Sequence, residues 1–522
     1  MKKLICLILA MIMVLSLAAC SGGKDNDGTT ADASGKLADH WYDEDGFVHV
    51  NAACTQTLPT LELLSTTSGV YTYCLWDMIY DSLLQDNLDG TYSGRLATDY
   101  EMNADGTEWT FKLLDGVKFS NGSVCDANDV ACTMQRYLDK KGTEYNVSGM
   151  WALLTGYEVI DNLTIKVTFS APWGTALADF AQCQIISDED YAKHGDDLFL
   201  AKNVVGTGKW VVEEFAESQY ITLRINENYR DGITTNVQKF TLHFISENSS
   251  LVTGLLAGDF DDATRIADDL LVMLDGKEDL NLIKWPSTSI LMIGLQCGEG
   301  SPFNDPNVRK AFYYAIDREA ICENILVGSV PTAQYLSPNT LGHDDSLVPV
   351  YDPVKAKELL DNSGYNGELI KLEVNSGLPS VDDVFTYICD CLAAAGFNAT
   401  YTKVETAYLG EIRKTGEFTA YAITDNIAID NGRAVATRFG NPGQHHNLAN
   451  DELDKMIAEL GSTVDAAARK DLMTKINQTF YAECGPCCPV VCYAYNNCTR
   501  VGLEGVVYSP IGGYFYNDIY IS

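Results

Sequence analysis

Positive charge is scarce in this chain of 522 residues, where 36 lysines and arginines stand against 72 aspartates and glutamates, a formal net charge of −36. So acidic a surface repels phosphate backbones and anionic headgroups, which excludes nucleic acid as a partner and excludes charge-driven membrane binding. Histidine is scarcer still, with seven residues, and His445-His446 is its only cluster. Adjacent side chains diverge on a strand or a helix, so this pair would need loop geometry and a distant third ligand to hold a metal; it is expected to be surface polarity. The chain has no G-x-S-x-G elbow, no H-E-x-x-H pair and no G-x-x-x-x-G-K-[ST] loop. Catalysis is therefore unsupported, and neither a metal nor a cofactor is expected. Beyond the first twenty residues no run approaches about 18 apolar residues, so nothing in the body should cross a bilayer.

The N-terminus is the exception to that polarity. Lys2 and Lys3 precede an apolar stretch from Leu4 to Leu17, and Leu17-Ala18-Ala19-Cys20 closes it with small residues. This is the pattern of a secretory signal over residues 1–19, too short to be a membrane span. Its last four residues resemble the bacterial lipobox, which implies cleavage before Cys20 and acylation of that cysteine. Two or more acyl chains on one residue suffice for stable anchoring. Residues 20–37 contain almost no large apolar side chain, cannot repay the entropy of ordering, and are expected to form a disordered tether.

Cysteine is abundant at sixteen residues. With Cys6 in the signal and Cys20 at the anchor, fourteen remain, and outside the cytoplasm some could pair in a connectivity that spacing does not reveal. The segment "CGPCC" at 484–488 has the spacing of a thioredoxin-type redox pair. That chemistry needs the first cysteine at a helix N-terminus, where amide groups stabilise the thiolate. Here an amphipathic helix precedes the motif and a strand follows it. Structural cysteines are expected instead, with disulfides among Cys484, Cys487, Cys488, Cys492 and Cys498.

The rest reads as α/β, long enough for two lobes with a core each. Trp109, Phe111 and Leu113 alternate with polar residues and predict a half-buried strand. Asp105-Gly106, Asp115-Gly116 and Asn121-Gly122 supply hairpin turns. Asp126, with Asp129 three residues on, predicts a helix start whose apolar positions include Val130, Met134 and Leu138. Strands are predicted in "GYEVIDNLTIKVTFS" and in "GKWVVEEFAESQYITLRINENY". Gly206 and Gly208 in "VVGTGKW" do not make a phosphate loop, because no Ser or Thr follows Lys209 and a strand comes next. Asp305-Pro306 and Asp352-Pro353 each predict an N-cap with proline at the first helical position. The second of these helices should end on Gly364 as a left-handed C-cap. Strands follow in "LIKLEVNS" and "NATYTKVE", a helical hairpin over 451–483, a strand in "PVVCYAYNN", and a turn-rich, β-like tail.

Taken as a set, these segments resemble the bacterial extracellular solute-binding family 5, the oligopeptide- and dipeptide-binding lipoproteins of ABC importers. The blocks that carry the resemblance are "LATDYEMNADGTEWTFKLLDGVKFSNGSVCDANDV", "VVGTGKWVVEEF…INENY", "PFNDPNVRKAFYYAIDREAI", "YDPVKAKELLDNSGY" and "ANDELDKMIAEL", in the family's order. The resemblance implies a two-lobed periplasmic-binding-protein-like fold of the type II, large peptide-binder class, with mixed sheets and a hinge of crossing strands. The first lobe would take residues 38–287 and 498–522, and the second 288–497. The chain would cross near "WPSTSILMIGL" and "VVCYAYNN". Ligand is then enclosed by hinge closure and passed to permease subunits of an ABC transporter. The receptor would be a monomer on the extracytoplasmic face of the cell membrane, held there by its lipid alone.

In peptide-binding members an aspartate after a Gly-Trp segment pairs with the peptide's ammonium group, which needs a carboxylate once desolvated. The matching "FTAYAITDNIAIDNG" departs from that pattern, with Ile423 at the tryptophan position and Asn426 close to the aspartate. The resemblance thus assigns ligand contact to Asp425, Asn426 and Asp430, with Asp425 or Asp430 taking the amine. In the first lobe "LLSTTSGVYTYCLW" matches the segment whose backbone lies along the ligand, which implies Thr67, Ser68, Gly69 and Tyr71. Other family members carry oligosaccharides, opines or metal chelates, and a metal chelate would give His445 or His446 a purpose. Readings of a different class are a thiol–disulfide enzyme using Cys484 and a surface adhesin or signalling receptor with no enclosed cleft.

Overall fold

Local chemistry sets most of the element boundaries. Asp126 accepts the backbone N–H of Asn128 while Asp129 reaches back to the N–H of Asp126, a capping box that opens the helix Ala127–Lys140. Asp305 caps Pro306–Ala315 and Asp352 caps Pro353–Asp361, each with proline in the first turn as expected. The end of the latter helix corrects the reading of Gly364. The helix stops at Asp361, Asn362 is its C-cap, and Gly364 is not left-handed. Its N–H instead donates to Oδ2 of Asp305 at 3.0 Å, which draws the chain onto the start of the helix Pro306–Ala315.

The computed structural model describes residues 37–65, 70–338, 340–426, 432–440, 446–509 and 513–522. The signal, Cys20 and nearly all of the expected tether lie outside the described residues. Leu37, at the tether's expected end, packs against the first apolar core.

Two larger sheets form the framework. A four-stranded antiparallel sheet runs in the order Ala97–Met102, Glu108–Leu113, Thr164–Phe169, Leu154–Asp161. One of its faces buries Trp109, Phe111, Ile165 and Val167 beneath the helix Ala127–Lys140 and Phe180. The alternation read from sequence is the cause, since period-two side chains reach one face only. The second sheet has eleven strands and spans the molecule. At one side Ala399–Val404, Ile370–Asn375 and Ala420–Asn426 run parallel; at the other His49–Cys54 runs parallel to Lys239–Phe244 and to Asp262–Ala263. Between them lie the long antiparallel strands Leu280–Leu295 and Cys487–Arg500. The sheet is mixed, as expected.

Among the described residues apolar side chains collect in five clusters. Three draw on residues between Trp41 and Leu280 together with Cys498 and the tail from Leu503. Two draw on residues between Ile290 and Tyr493. Gly206 and Gly208 have a packing reason for lacking side chains: a Cβ on either would strike the carbonyl oxygens of Ile79 or Met78, at 2.0 and 2.3 Å. Their backbone lies against the helix Val70–Ile79, and the N–H of Gly208 donates to Ile79 O.

Candidate functional site

The long strands Leu280–Leu295 and Cys487–Arg500 pair antiparallel from Leu280 opposite Arg500 to Gly294 opposite Cys487. The register slips between Pro286, opposite Ala494, and Ile290, opposite Cys492. Ser287, Thr288 and Ser289 therefore face the single residue Tyr493, a bulge that interrupts the ladder and bends the strand. All three are buried. Ser287 Oγ donates to the carbonyl of Tyr493 at 2.6 Å and accepts the N–H of Ser289 at 3.0 Å. Ser289 shares a hydroxyl hydrogen bond with Tyr495.

Beyond the bulge the ribbon presents a polar face. Trp285 lies directly opposite Tyr495, and Asn497, two residues further, shares that face. Arg265 follows the strand Asp262–Ala263 with φ +56°, a left-handed backbone unusual for a residue with a side chain. Its N–H donates to Asn497 Oδ1 at 3.1 Å, and its guanidinium lies 4.5 Å from the centre of the Tyr495 ring. Asn497, Thr264 and Thr288 are fully buried. Among the described residues Asn497 Nδ2, Thr264 Oγ1, Thr288 Oγ1 and the indole N–H of Trp285 have no hydrogen-bond partner. Each such group costs about 1–3 kcal/mol when neither water nor another molecule satisfies it. Sequence reasoning missed them, because Arg265 and Asn497 meet across 232 positions and no periodicity encodes that.

The expected amine contacts lie on Ala420–Asn426 and just beyond it. Asp425 sits opposite Ile290 of the first crossing strand and is 1% exposed. Its Oδ2 accepts the Tyr335 hydroxyl at 2.6 Å, and its Oδ1 pairs with Arg438 on the helix Gly432–Phe439. Burial pushes this carboxyl upward from its ordinary range, and Arg438 and Tyr335 pull it back. Asp425 is thus engaged from within the protein. Asn426 ends the strand, its side chain outside what is described, and Asp430, Thr67, Ser68, Gly69 and His445 fall outside the described residues. Tyr71 lies in the first turn of Val70–Ile79, its side chain likewise undescribed.

His446 corrects the expectation of surface polarity: it is buried. The N–H of Cys297 donates to its carbonyl at 2.6 Å, and its Nε2 shares a hydrogen bond with the Tyr421 hydroxyl at 2.9 Å. Rings of Phe418, Tyr421 and Phe439 surround it. No group of three potential metal ligands occurs among the described residues.

The cysteines correct the expectation of disulfides, for none of the fourteen from Cys54 to Cys498 is joined in one. Geometry is the reason. Cys487 and Cys488 are neighbours on one strand and point to opposite faces, while Cys488, Cys492 and Cys498 are four and six positions apart, roughly 13 and 20 Å along the chain. A disulfide tolerates no more than about 7 Å between Cα atoms. Cys484 caps the C-terminal end of Ala466–Glu483, the end whose dipole disfavours a thiolate, and burial pushes its thiol up to about 12. Reduction of a reporter disulfide is accordingly expected to be indistinguishable between the wild-type protein and Cys484→Ser. Turnover that disappears in the variant would restore the redox reading.

Two adjoining cavities of about 260 and 240 Å³ lie between the first half of the chain and its C-terminal tail and share Gln85, Asn517 and Asp518. Their ionic groups serve each other. Fully buried Asp81 pairs with Arg95 at 2.6 Å and with Arg230, Arg95 also pairs with Asp77, and Lys209 pairs with Asp518. This network ties the helix Val70–Ile79 to the C-terminal tail and leaves the crossing strands as the candidate site.

A sequence model described as bacterial extracellular solute-binding proteins, family 5 middle, matches residues 91–445. The glutathione-binding protein GsiB of Shigella dysenteriae serotype 1 is 24% identical over 444 residues, 81% of this chain and 85% of GsiB. Among solved structures, HbpA2 from Haemophilus parasuis has a TM-score of 0.81 at 19% identity, covering 91% of this chain and all of HbpA2. A dipeptide binding protein from Pseudoalteromonas sp. SM9913, in complex with Met-Leu, has a TM-score of 0.71 at 18% identity, covering 91% of this chain and 100% of its own. The likeness is one of fold, the two-lobed type II periplasmic binding protein. No helix among the described residues is long and apolar enough to cross a membrane.

Proposed function

The chain belongs to the bacterial extracellular solute-binding proteins of family 5, and from that premise we propose that it is the lipid-anchored receptor of an ABC importer, capturing peptides by hinge closure and delivering them to a membrane permease. The observation that carries this reading is the family match over residues 91–445. The ligand class is supported by relatives named for binding glutathione and a dipeptide. The lobes are residues 38–287 with 498–522, and 288–497, a division supported by the way the apolar clusters separate at the crossing strands.

Closure needs a place where rotation breaks few bonds. The bulge at Ser287–Ser289 supplies one, because its residues have left the ladder with Cys487–Arg500 and are tied to that strand there through the hydroxyls of Ser287 and Ser289. An enclosed peptide is held along its backbone by strand-like hydrogen bonds, which read no side-chain identity. Thr67, Ser68, Gly69 and Tyr71 take that role in the first lobe. In the second lobe Asp425 is committed to Arg438 and Tyr335, so the ammonium falls to Asp430, with Asn426 as a further contact. Cys20 carries the lipid, which keeps the receptor near its permease while the lobes stay free to close.

Native mass spectrometry of the freshly purified protein, followed by calorimetry with the mass it releases, tests the reading. The expected result is a retained peptide whose affinity drops about tenfold or more in Asp430→Asn, the loss of one charge-assisted contact. A retained sugar, opine or metal chelate would keep the receptor role and replace the ligand. A chemically altered guest, or no compaction in small-angle scattering with any small solute, would end it.

A further inference from the structure

We infer that the cavity of about 260 Å³ between the helix Val70–Ile79, the strand Leu84–Asp86 and the C-terminal tail is a binding site for an alkylammonium group, with Asp86 as its counter-ion. The site goes beyond the reading of the chain as a peptide receptor, because a free amine and the basic side chain of a bound peptide present the same chemistry. The charges around the two adjoining cavities are matched except at Asp86. Arg95 pairs with Asp77 and Asp81, Arg230 with Asp81, and Lys209 with Asp518. Asp86 stands outside that network, and the charges that act on it are those of its fellow acids Asp89 and Asp77. Burial, reinforced by those like charges, holds its carboxyl above the ordinary range despite the bond from Leu88, the state of an acid that lacks a counter-ion.

Hydrogen-bond acceptors are left over at the same place. Among the described residues the one bond to the Asp86 carboxylate runs from the N–H of Leu88 to Oδ1 at 2.8 Å, which leaves Oδ2 to accept from a guest. Gln85 gives its Nε2 to the carbonyl of Asp86 at 2.9 Å, so the amide is oriented and its Oε1 is the second acceptor. Both side chains are half-buried and line the cavity. Leu88, Ala181, Val507 and Phe515 make the apolar part of the wall, which suits an alkyl chain, and the Phe515 ring adds a face that favours a cation. Val507 and Asp518 are exposed, so the cavity has a mouth on water. Its volume is below the roughly 300–1,000 Å³ that encloses a drug-sized ligand, which limits the guest to one side chain or a small amine. An ammonium that leaves water needs a carboxylate partner, and Asp86 is the acid here with none of its own. No group of three potential metal ligands occurs among the described residues, so the cation that fits is organic.

Calorimetry of the intact protein tests this with two pairs of probes, pentylamine against pentanol and the tripeptide Ala-Lys-Ala against Ala-norleucine-Ala, each pair differing in one ammonium group. The expected result is that the charged member of at least one pair binds at least about tenfold tighter than its neutral partner, and that Asp86→Asn, which keeps an acceptor for the Leu88 N–H, removes the difference. Val507→Lys is the second variant. It sets an ammonium of the chain's own on an exposed position at the mouth of the cavity, and should reduce the same preference at least about tenfold. A preference in the first pair alone assigns the site to a free amine, and one in the second pair assigns it to a peptide side chain. Equal binding within both pairs would overturn the site, as would a preference that survives both variants, and in either case tripeptides that still bind would leave the peptide receptor standing. A pentylamine preference lost in Asp86→Asn, with no binding of either tripeptide, would uphold the site and count against the peptide reading.

Discussion

Arg438→Met is expected to destabilise the fold by about 3–5 kcal/mol at pH 7, and by much less near pH 5. Among the described residues the guanidinium forms the one ion pair with Asp425, which is 1% exposed and otherwise holds the Tyr335 hydroxyl, with Arg413 adding a weaker attraction. Removing it leaves a carboxylate in an apolar surround, and burial already raises that group's pKa. A carboxylate can escape the penalty by taking a proton, which becomes easier as the pH falls. The reverse substitution behaves differently. In Asp425→Ala the guanidinium cannot discharge, but its side chain is 22% exposed and can turn towards water. That variant is expected to lose about 1–3 kcal/mol, with no dependence on pH between 5 and 7. Urea denaturation at the two pH values checks both variants. Equal losses for Arg438→Met at pH 5 and pH 7 would show that Asp425 is not charged in the native protein.

Features whose causes lie within four residues were legible in the sequence. The Asp126–Asp129 capping box, the paired Asp-Pro helix starts and the alternation of Trp109, Phe111 and Leu113 need only local hydrogen bonds and period. Gly364 misled because its conformation is set from 59 positions away, by Asp305. His446 misled for a similar reason: polarity suggests the surface, but the bond from Cys297 seats it among three rings. The cysteine count argued for disulfides from compartment alone, whereas pairing depends on where strands place sulfur atoms in space. Family likeness directed attention to Asp425, and only the packing of the helix Gly432–Phe439 and of the segment around Tyr335 against its strand shows Arg438 and Tyr335 already there. Arg265 lies outside any pattern, since its partners Tyr495 and Asn497 come from a strand more than 200 residues later. The fold was therefore written largely in local signals and block order. The chemistry of the crossing strands was not, because it arises where distant segments meet.

Thermal stability is expected to fall as the pH rises from about 5 to 7, against the usual trend. Burial holds Asp261 and Asp262 up at about 6 and Asp129 at about 7, from an ordinary value near 3.8. Over that window the folded protein keeps protons that the unfolded chain has released, so stability declines with rising pH until each group has ionised in both states. His49 works in the opposite direction. Burial, then the charge of Lys239, lower it from 6.5 to about 4, so the unfolded chain binds a proton there that the folded one refuses, and stability is gained as the pH rises. Each pH unit of displacement is worth about 1.4 kcal/mol. Burial also holds His40 and His243 down and Asp86, Asp425 and Asp454 up, so six raised carboxyls stand against three lowered imidazoles and set the sign. Self-repulsion within a chain that reaches −36 reinforces the sign. Below about pH 4 the trend should turn, because Asp344 is held down at about 2 by bonds from Gln478 and Ser346 and is protonated more readily once unfolded. Asp262→Asn removes one titrating group while keeping an acceptor for the surrounding hydroxyls, and its Tm should depend less steeply on pH than that of the wild-type protein. A wild-type Tm that climbs between pH 5 and pH 7, or a variant that keeps the wild-type slope, would mean that Asp262 is ionised inside the native fold and that the three hydroxyls of Thr499, Tyr508 and Tyr516 compensate its burial in full.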